Sequence, residues 1–144
     1  MICLLDTNII IGILRENEKI VLKYKELTKS KQDIGITSYT IAELYDGIQR
    51  VESKKKMEAQ LKILEMILDN FEERKKIFSL TRKEAMKYAE LKIALEKKGK
   101  PIPIIDLLIG TIVIFNNYKL ITIDKNHFQN LKDVSPSFKV DFWI

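Results

Sequence analysis

Apolar residues along this chain follow two alternating patterns. Short apolar runs at 2–5 and 34–36 are typical of strands that are buried on both faces, and 77–80, 120–123 and 138–142 are also predicted to be strands. Between these runs, apolar residues recur every three or four positions, as on one face of an amphipathic helix. The alternation predicts an α/β fold with a central, mostly parallel sheet and helices on both of its faces.

Residues at the helix boundaries support this interpretation. Ser38 is a good N-cap for a helix that reaches Gln49, and Thr81 with Glu84 forms a capping box for a helix that ends at Gly99. The predicted helices cover 8–15, 38–49, 56–71, 81–99 and the segment around residue 106. The second and third of these are predicted to form a helical hairpin inserted between strands.

The length of 144 residues, 46% of them hydrophobic, is ordinary for one globular domain, and we expect a single domain over 1–144. The opening residues do not form a secretory apolar region, and the longest apolar run, 102–115, is too short to span a bilayer. The only cysteine, Cys3, is expected to pack as a small hydrophobe in a reducing compartment. We therefore expect a soluble, cytoplasmic protein without membrane contact.

Four acidic residues stand at positions that a parallel sheet brings to one edge. Asp6 and Asp124 directly follow predicted strands, and Glu43 and Asp106 lie in the first turns of predicted helices. Ligands gather beyond the carboxyl ends of parallel strands. Four clustered carboxylates repel one another unless they take up protons or hold a cation. Oxygen ligands without a Cys or His cluster indicate Mg²⁺ or Mn²⁺.

Each acid also has a structural alternative. Asp6 could cap the next helix, and Asp124 could serve a turn. Glu43 stands three residues after Thr40, as in a capping box, and Asp106 could interact with its helix dipole. Each alternative taken singly is as good as the metal hypothesis. Four independent structural acids, however, need not fall at the same edge of a sheet.

Four motifs resemble those of PIN-domain nucleases, in order and at typical separation across nearly the whole chain. They are LLDTN, ITSYTIAELYDG, IIDLLIG and LITIDKNHF, each containing one of the four acids. The size of the chain is most similar to that of the VapC toxins of toxin-antitoxin pairs. One departure is Ile105, where many relatives have a polar residue before the third acid.

The resemblance implies a metal-dependent endoribonuclease that hydrolyses RNA, with Mg²⁺ as cofactor and Mn²⁺ able to substitute. The implied catalytic and metal-binding residues are Asp6, Glu43, Asp106 and Asp124. Thr7 and Asn8 are expected to orient Asp6, and Thr122 is expected to orient the water or phosphate. The only histidine, His127, is expected to have a structural or surface role, because PIN chemistry does not require a histidine base. The resemblance further implies a type II toxin, a cognate antitoxin protein and a homodimer.

The charge of the chain is compatible with an RNA substrate. The chain has 25 Lys and Arg against 20 Asp and Glu, which gives a net charge of +5. This excess also has a simpler explanation, since lysines often cover solvated helix faces. Basic residues close to the acidic motifs are candidates for phosphate contacts. These candidates are Arg50, Lys54, Lys55, Lys56, Lys97, Lys98 and Lys100.

Three alternative functions remain at this point. A housekeeping PIN nuclease in RNA maturation shares the motifs, although such proteins often carry an added domain. A catalytically inactive PIN-like module that binds RNA or protein need not retain all four acids. A phosphorelay receiver domain usually begins with two adjacent acids, whereas Leu5 precedes Asp6 here.

Overall fold

Five short strands and seven helices alternate along the chain in the computed structural model, which describes residues 1–144. The strands are β1 (Ile2–Leu5), β2 (Asp33–Thr37), β3 (Ile77–Phe78), β4 (Lys119–Thr122) and β5 (Lys139–Phe142). The helices are α1 (Thr7–Leu14), α2 (Glu18–Lys29), α3 (Ser38–Gln49), α4 (Lys54–Glu73), α5 (Arg82–Lys97), α6 (Ile104–Phe115) and α7 (Lys125–Val134). None of these helices combines the length and apolar character that a membrane span requires.

The strands form one sheet in the order β3-β2-β1-β4-β5, and every neighbouring pair is parallel. The predicted α/β architecture is therefore confirmed. The strand predicted at 77–80 contains only two paired residues, and the last strand begins one residue later than predicted.

The central strand explains why the apolar runs are continuous. Successive side chains of a strand point to opposite faces, and Cys3 and Leu5 pack into one core while Leu4 packs into another. The first core is completed by α1 to α4, and the second by α5 to α7. Because both faces are covered by helices, apolar residues are needed at every position of the strand. The burial of Cys3 confirms its predicted role as a core hydrophobe.

The predicted helical hairpin is present, since α3 and α4 follow each other and pack together. The predicted N-cap Ser38 is wrong. The hydroxyl of Thr37 accepts the hydrogen bond from the backbone N–H of Thr40, at 3.1 Å, because Thr37 points inward at the end of β2. Thr81 is confirmed as the N-cap of α5, since its hydroxyl accepts from the backbone N–H of Glu84 at 3.3 Å. The carboxylate of Glu84 accepts from the Thr81 hydroxyl at 3.0 Å and not from the Thr81 backbone N–H of a full capping box.

Helix α2 was not among the predicted helices. Ile20 is buried, and Tyr24 and Leu27, four and seven positions later, also pack against the first core. These residues form an apolar stripe at helical spacing, so the sequence did carry a signal for this helix. Ile20 packs so close to Gly12 of α1 that a Cβ at Gly12 would overlap it. The absence of a side chain at Gly12 thus allows the close approach of these two helices.

Candidate metal centre

Strands β1 and β4 are neighbours at the switch point of the sheet. After β1 the chain proceeds toward β2 on one side, and after β4 it proceeds toward β5 on the other side. At such a switch point the carboxyl ends of the strands open a crevice. Asp6 is the first residue after β1, and its backbone N–H donates to the carbonyl of Ile121 in β4 at 2.9 Å. Asp6 is therefore held at the mouth of this crevice.

Asp6 uses both carboxylate oxygens within the protein. Its Oδ1 accepts from the backbone N–H of Thr7 at 2.8 Å. Asp6 is thus the N-cap of α1, which confirms the capping role that the sequence offered as an alternative. Its Oδ2 accepts from the hydroxyl of Thr122 at 2.7 Å and from the amide of Asn8 at 3.2 Å. The structure thus brings Asp6 together with Thr7 and Asn8, as expected, and also with Thr122, which was expected to orient the water or phosphate.

Glu43 approaches the same crevice from α3. The hydroxyl of Thr7 donates to Glu43 Oε1, which links the glutamate to the residue beside Asp6. The capping-box alternative for Glu43 is wrong, because α3 begins at Ser38 and Thr40 lies buried within its first turn. Glu43 is thus not occupied with closing a helix terminus.

The remaining two acids converge on the histidine. Asp124 is the N-cap of α7, where its Oδ1 accepts from the backbone N–H of His127 at 3.2 Å. The Nδ1 atom of His127 lies 2.8 Å from Oδ2 of Asp124 and 2.8 Å from Oδ2 of Asp106. The structural or surface role expected for His127 stays a prediction, but its position between these two acids was not expected. The missed signal is the spacing, since a residue three positions after an N-cap turns back toward the cap.

The electrostatics show that the acids act on one another. Burial raises the pKa of Asp6 to about 6, with further increases from Asp106 and Glu43, while the hydrogen bonds from Thr122 and Thr7 oppose the shift. Burial likewise raises the pKa of Asp106, and the hydrogen bond with His127 opposes it. A cation bound among these groups would offset the free-energy cost of burying charged carboxylates and their mutual repulsion. Carboxylates with one imidazole form a donor set that suits a divalent metal ion.

An apolar groove leads away from the acids. Thr7, Glu43 and Ile105 line a depression at the acidic end. Glu43 also belongs to the adjoining groove of about 160 Å³, which is lined mainly by apolar residues of α1 and α3 and has Arg15 at its border. The site therefore combines a charged centre with an apolar extension.

The basic candidates lie on the surface. Arg50 forms an ion pair with Asp46 at 3.0 Å, and Lys100 lies 3.9 Å from Asp133. The other candidates are exposed in the first turn of α4 and at the end of α5, at Lys54, Lys55, Lys56, Lys97 and Lys98. Their contact with RNA stays a prediction.

The raised pKa of Asp6 predicts a pH dependence of stability in the absence of metal. The folded protein binds more protons than the unfolded chain between pH 3.8 and about 6, so the free energy of unfolding falls as the pH rises through this window. Asp6→Asn removes this loss, which amounts to roughly 3 kcal/mol at most. Urea denaturation of both proteins with EDTA, at pH 4.5 and pH 7.5, measures the difference. Parallel pH profiles for the two proteins would contradict the assigned cause.

Comparisons with known proteins agree with this geometry. The PIN-domain family profile matches residues 3–134. The chain is 34% identical over 134 residues to Ribonuclease VapC2 from Rickettsia felis, covering 93% of this chain and 95% of that protein.

Solved structures give the same result. The crystal structure of VapBC2 from Rickettsia felis, bound to a DNA fragment from their promoter, contains a chain with a TM-score of 0.81 and 28% identity, with full coverage of both chains. FitAcB from Neisseria gonorrhoeae gives a TM-score of 0.84 and 27% identity, covering 99% of this chain and 98% of that one. These matches confirm the resemblance drawn from the four motifs: the chain belongs to the PIN-domain family and is VapC-like within it.

Proposed function

We propose that this protein is a metal-dependent endoribonuclease and the toxin of a type II toxin-antitoxin pair. Two observations carry the proposal, in a chain that resembles a VapC ribonuclease over 93% of its length. Asp106 and Asp124 meet at His127. Asp6 and Glu43, linked through Thr7, lie close enough to influence the charge of Asp106. The family supports nuclease chemistry, and the donor set supports a divalent cation as its cofactor.

The residues proposed to hold Mg²⁺, or Mn²⁺ in its place, are Asp6, Glu43, Asp106 and Asp124. A divalent ion bound there supplies a water of lowered pKa and neutralises charge on the scissile phosphate. Thr122 and Asn8 fix the orientation of Asp6 through their hydrogen bonds, and Thr7 connects Asp6 with Glu43. The exposed lysines around the site are proposed to bind the RNA backbone without reading its sequence.

The first test of this proposal is Asp106→Asn, which retains the size of the side chain and removes its charge. Cleavage of total RNA with Mn²⁺ should fall by orders of magnitude, because the cation loses a charged ligand. The rise in melting temperature that Mn²⁺ gives the parent protein should shrink as well. Asp69→Asn, at an exposed position of α4, is the matched control and should cleave like the parent.

Two outcomes would contradict the assignment. If Asp106→Asn cleaves RNA normally but loses about 0.3 to 1 kcal/mol of stability, Asp106 serves only its helix dipole. If the parent binds RNA without cleaving it in Mn²⁺ or Mg²⁺, the protein is a binding module and not a nuclease.

The groove beside the acids supports an antitoxin partner. VapBC2 from Rickettsia felis is a pair of proteins bound to its promoter, and an antitoxin segment with apolar side chains would fit the groove here. An Arg or Lys of that segment could reach the carboxylates and form charge-assisted hydrogen bonds with them. The antitoxin would then inhibit by occupying the place of the cation and the substrate.

The test of this partner is coexpression with the product of the neighbouring gene. Expression of the protein alone should arrest growth of the host, and coexpression should restore it. Gly47→Gln places a side chain in the groove at a position where an added Cβ meets nothing, so the fold should be retained and the protection should weaken. If the protein is equally harmless with and without its neighbour, the toxin assignment fails while the nuclease assignment can stand.

An exposed apolar surface on α5 and α6 supports the proposed homodimer. Met86 and Phe115 line one shallow depression, and Ile93 and Ile104 are exposed on the same two helices. Residues seven apart on a helix share a face, so Met86 and Ile93 point the same way. Exposed apolar side chains grouped on neighbouring helices often mark a protein interface.

Sedimentation velocity tests the homodimer directly. The parent protein should sediment as a dimer, and Met86→Glu combined with Ile93→Glu should shift it to monomer, because the charges would be buried in the interface. Met66→Glu changes an equally exposed methionine on α4 and should leave the dimer intact. A monomeric parent, or a dimer that tolerates both α5 substitutions, would contradict this interface.

A further inference from the structure

The position of His127 is not explained by the four-acid site. Its Nδ1 atom is 2.8 Å from one oxygen of Asp106 and 2.8 Å from one oxygen of Asp124. The three donor atoms all lie within 4.8 Å of one another. Around an octahedral cation with bonds of about 2.1 Å, adjacent donor atoms are about 3 Å apart. The spacing of the three side chains therefore fits neighbouring positions around one ion.

The backbone holds these three side chains in place. Asp124 caps α7 with Oδ1, which leaves Oδ2 turned toward the histidine. Phe128, the next residue after His127, is fully buried, as is Leu107 next to Asp106. Helices α6 and α7 approach so closely at Gly110 that a Cβ there would overlap a side chain of α7. The donor atoms thus sit on two helices whose relative position is fixed by the core.

The other side of the imidazole is open. The side chain of His127 is 41% exposed, and its Nε2 atom has no hydrogen bond with the protein. A neutral imidazole with its proton on Nε2 can donate that proton to water and present the Nδ1 lone pair to a cation that the two carboxylates also bind, whereas without a cation Nδ1 must carry the proton of the hydrogen bond to Asp106. A single Nδ1–H group can serve two equidistant oxygens only through a bifurcated hydrogen bond, whereas a cation can bind the nitrogen and both oxygens.

We propose that His127 is a metal ligand through Nδ1, beside Asp106 and Asp124, and that this nitrogen donor gives the site a preference for Mn²⁺ over Mg²⁺. Imidazole is a good ligand for transition metals, whereas Mg²⁺ strongly prefers oxygen. This inference rests on the proposed function, since it requires that the acids hold a divalent ion. It replaces the oxygen-only ligand set that the sequence suggested.

The test uses the fact that His127 is the only histidine of the chain. Pulsed electron paramagnetic resonance of the Mn²⁺-loaded protein should show a ¹⁴N coupling from directly bound imidazole. Incorporation of ¹⁵N-histidine should convert that signal to the ¹⁵N pattern, which assigns it to this residue alone. Absence of histidine nitrogen coupling in a protein that binds Mn²⁺ would overturn the proposal.

A second measurement separates ligation from hydrogen bonding. His127→Asn keeps an amide near the position of Nδ1 but lacks a nitrogen lone pair. In calorimetric titrations this variant should bind Mn²⁺ at least about tenfold more weakly, with a smaller change for Mg²⁺. Asn126→Gln, exposed in the same turn of α7, is the control and should bind both ions like the parent.

Each remaining outcome has a distinct meaning. If His127→Asn binds both ions as well as the parent does, the histidine only donates a hydrogen bond and the proposal is wrong, while the four-acid site stands. If Asp106→Asn binds Mn²⁺ with the affinity of the parent, Asp106 is not a metal ligand and the metal site of the proposed function is wrong.

Discussion

Negative charge held in the crevice between β1 and β4 is the constraint on which the rest of the site depends. Asp6 is only 4% exposed, and burial together with the neighbouring acids raises its pKa to about 6. The hydrogen bonds of Thr7 and Thr122 stabilise its oxygens but bring no positive charge. Such an arrangement costs stability, and a bound cation or an inserted basic side chain would offset that cost. The proposed metal, the RNA phosphate it would bind and the antitoxin's basic residue all follow from this one feature.

The two apolar cores stabilise the fold and so offset the cost of the buried acids. Helices cover both faces of the sheet, and the parallel strands between them carry apolar residues on both sides. The long apolar run at 102–115 is explained in the same way, because α6 is buried along most of its length. Asp106 lies in the first turn of α6, where the helix emerges at the crevice. A carboxylate inside an apolar run is therefore compatible with a core helix whose first turn lies at the proposed metal site.

The sequence predicted the sheet and the position of the four acids because both depend on local pattern. A buried parallel strand is a continuous apolar run, and the residue that follows it, such as Asp6, must lie at the carboxyl edge. Helix α2 escaped prediction although Ile20, Tyr24 and Leu27 stand at helical spacing and pack against the first core, because the rest of its sequence is mostly polar. His127 escaped because its partner Asp106 is 21 positions away. Their contact depends on how α6 and α7 pack against each other, and a local sequence pattern does not predict that packing.

The central claim is that the carboxylates at this crevice hold a divalent cation, and anomalous diffraction from crystals grown with Mn²⁺ tests it most directly. We expect an anomalous peak within about 2.2 Å of carboxylate oxygens of Asp106 and Asp124, on the side of the crevice that faces Asp6 and Glu43. A peak confined to other surface acids, or none at saturating Mn²⁺ in crystals with an open crevice, would contradict the account.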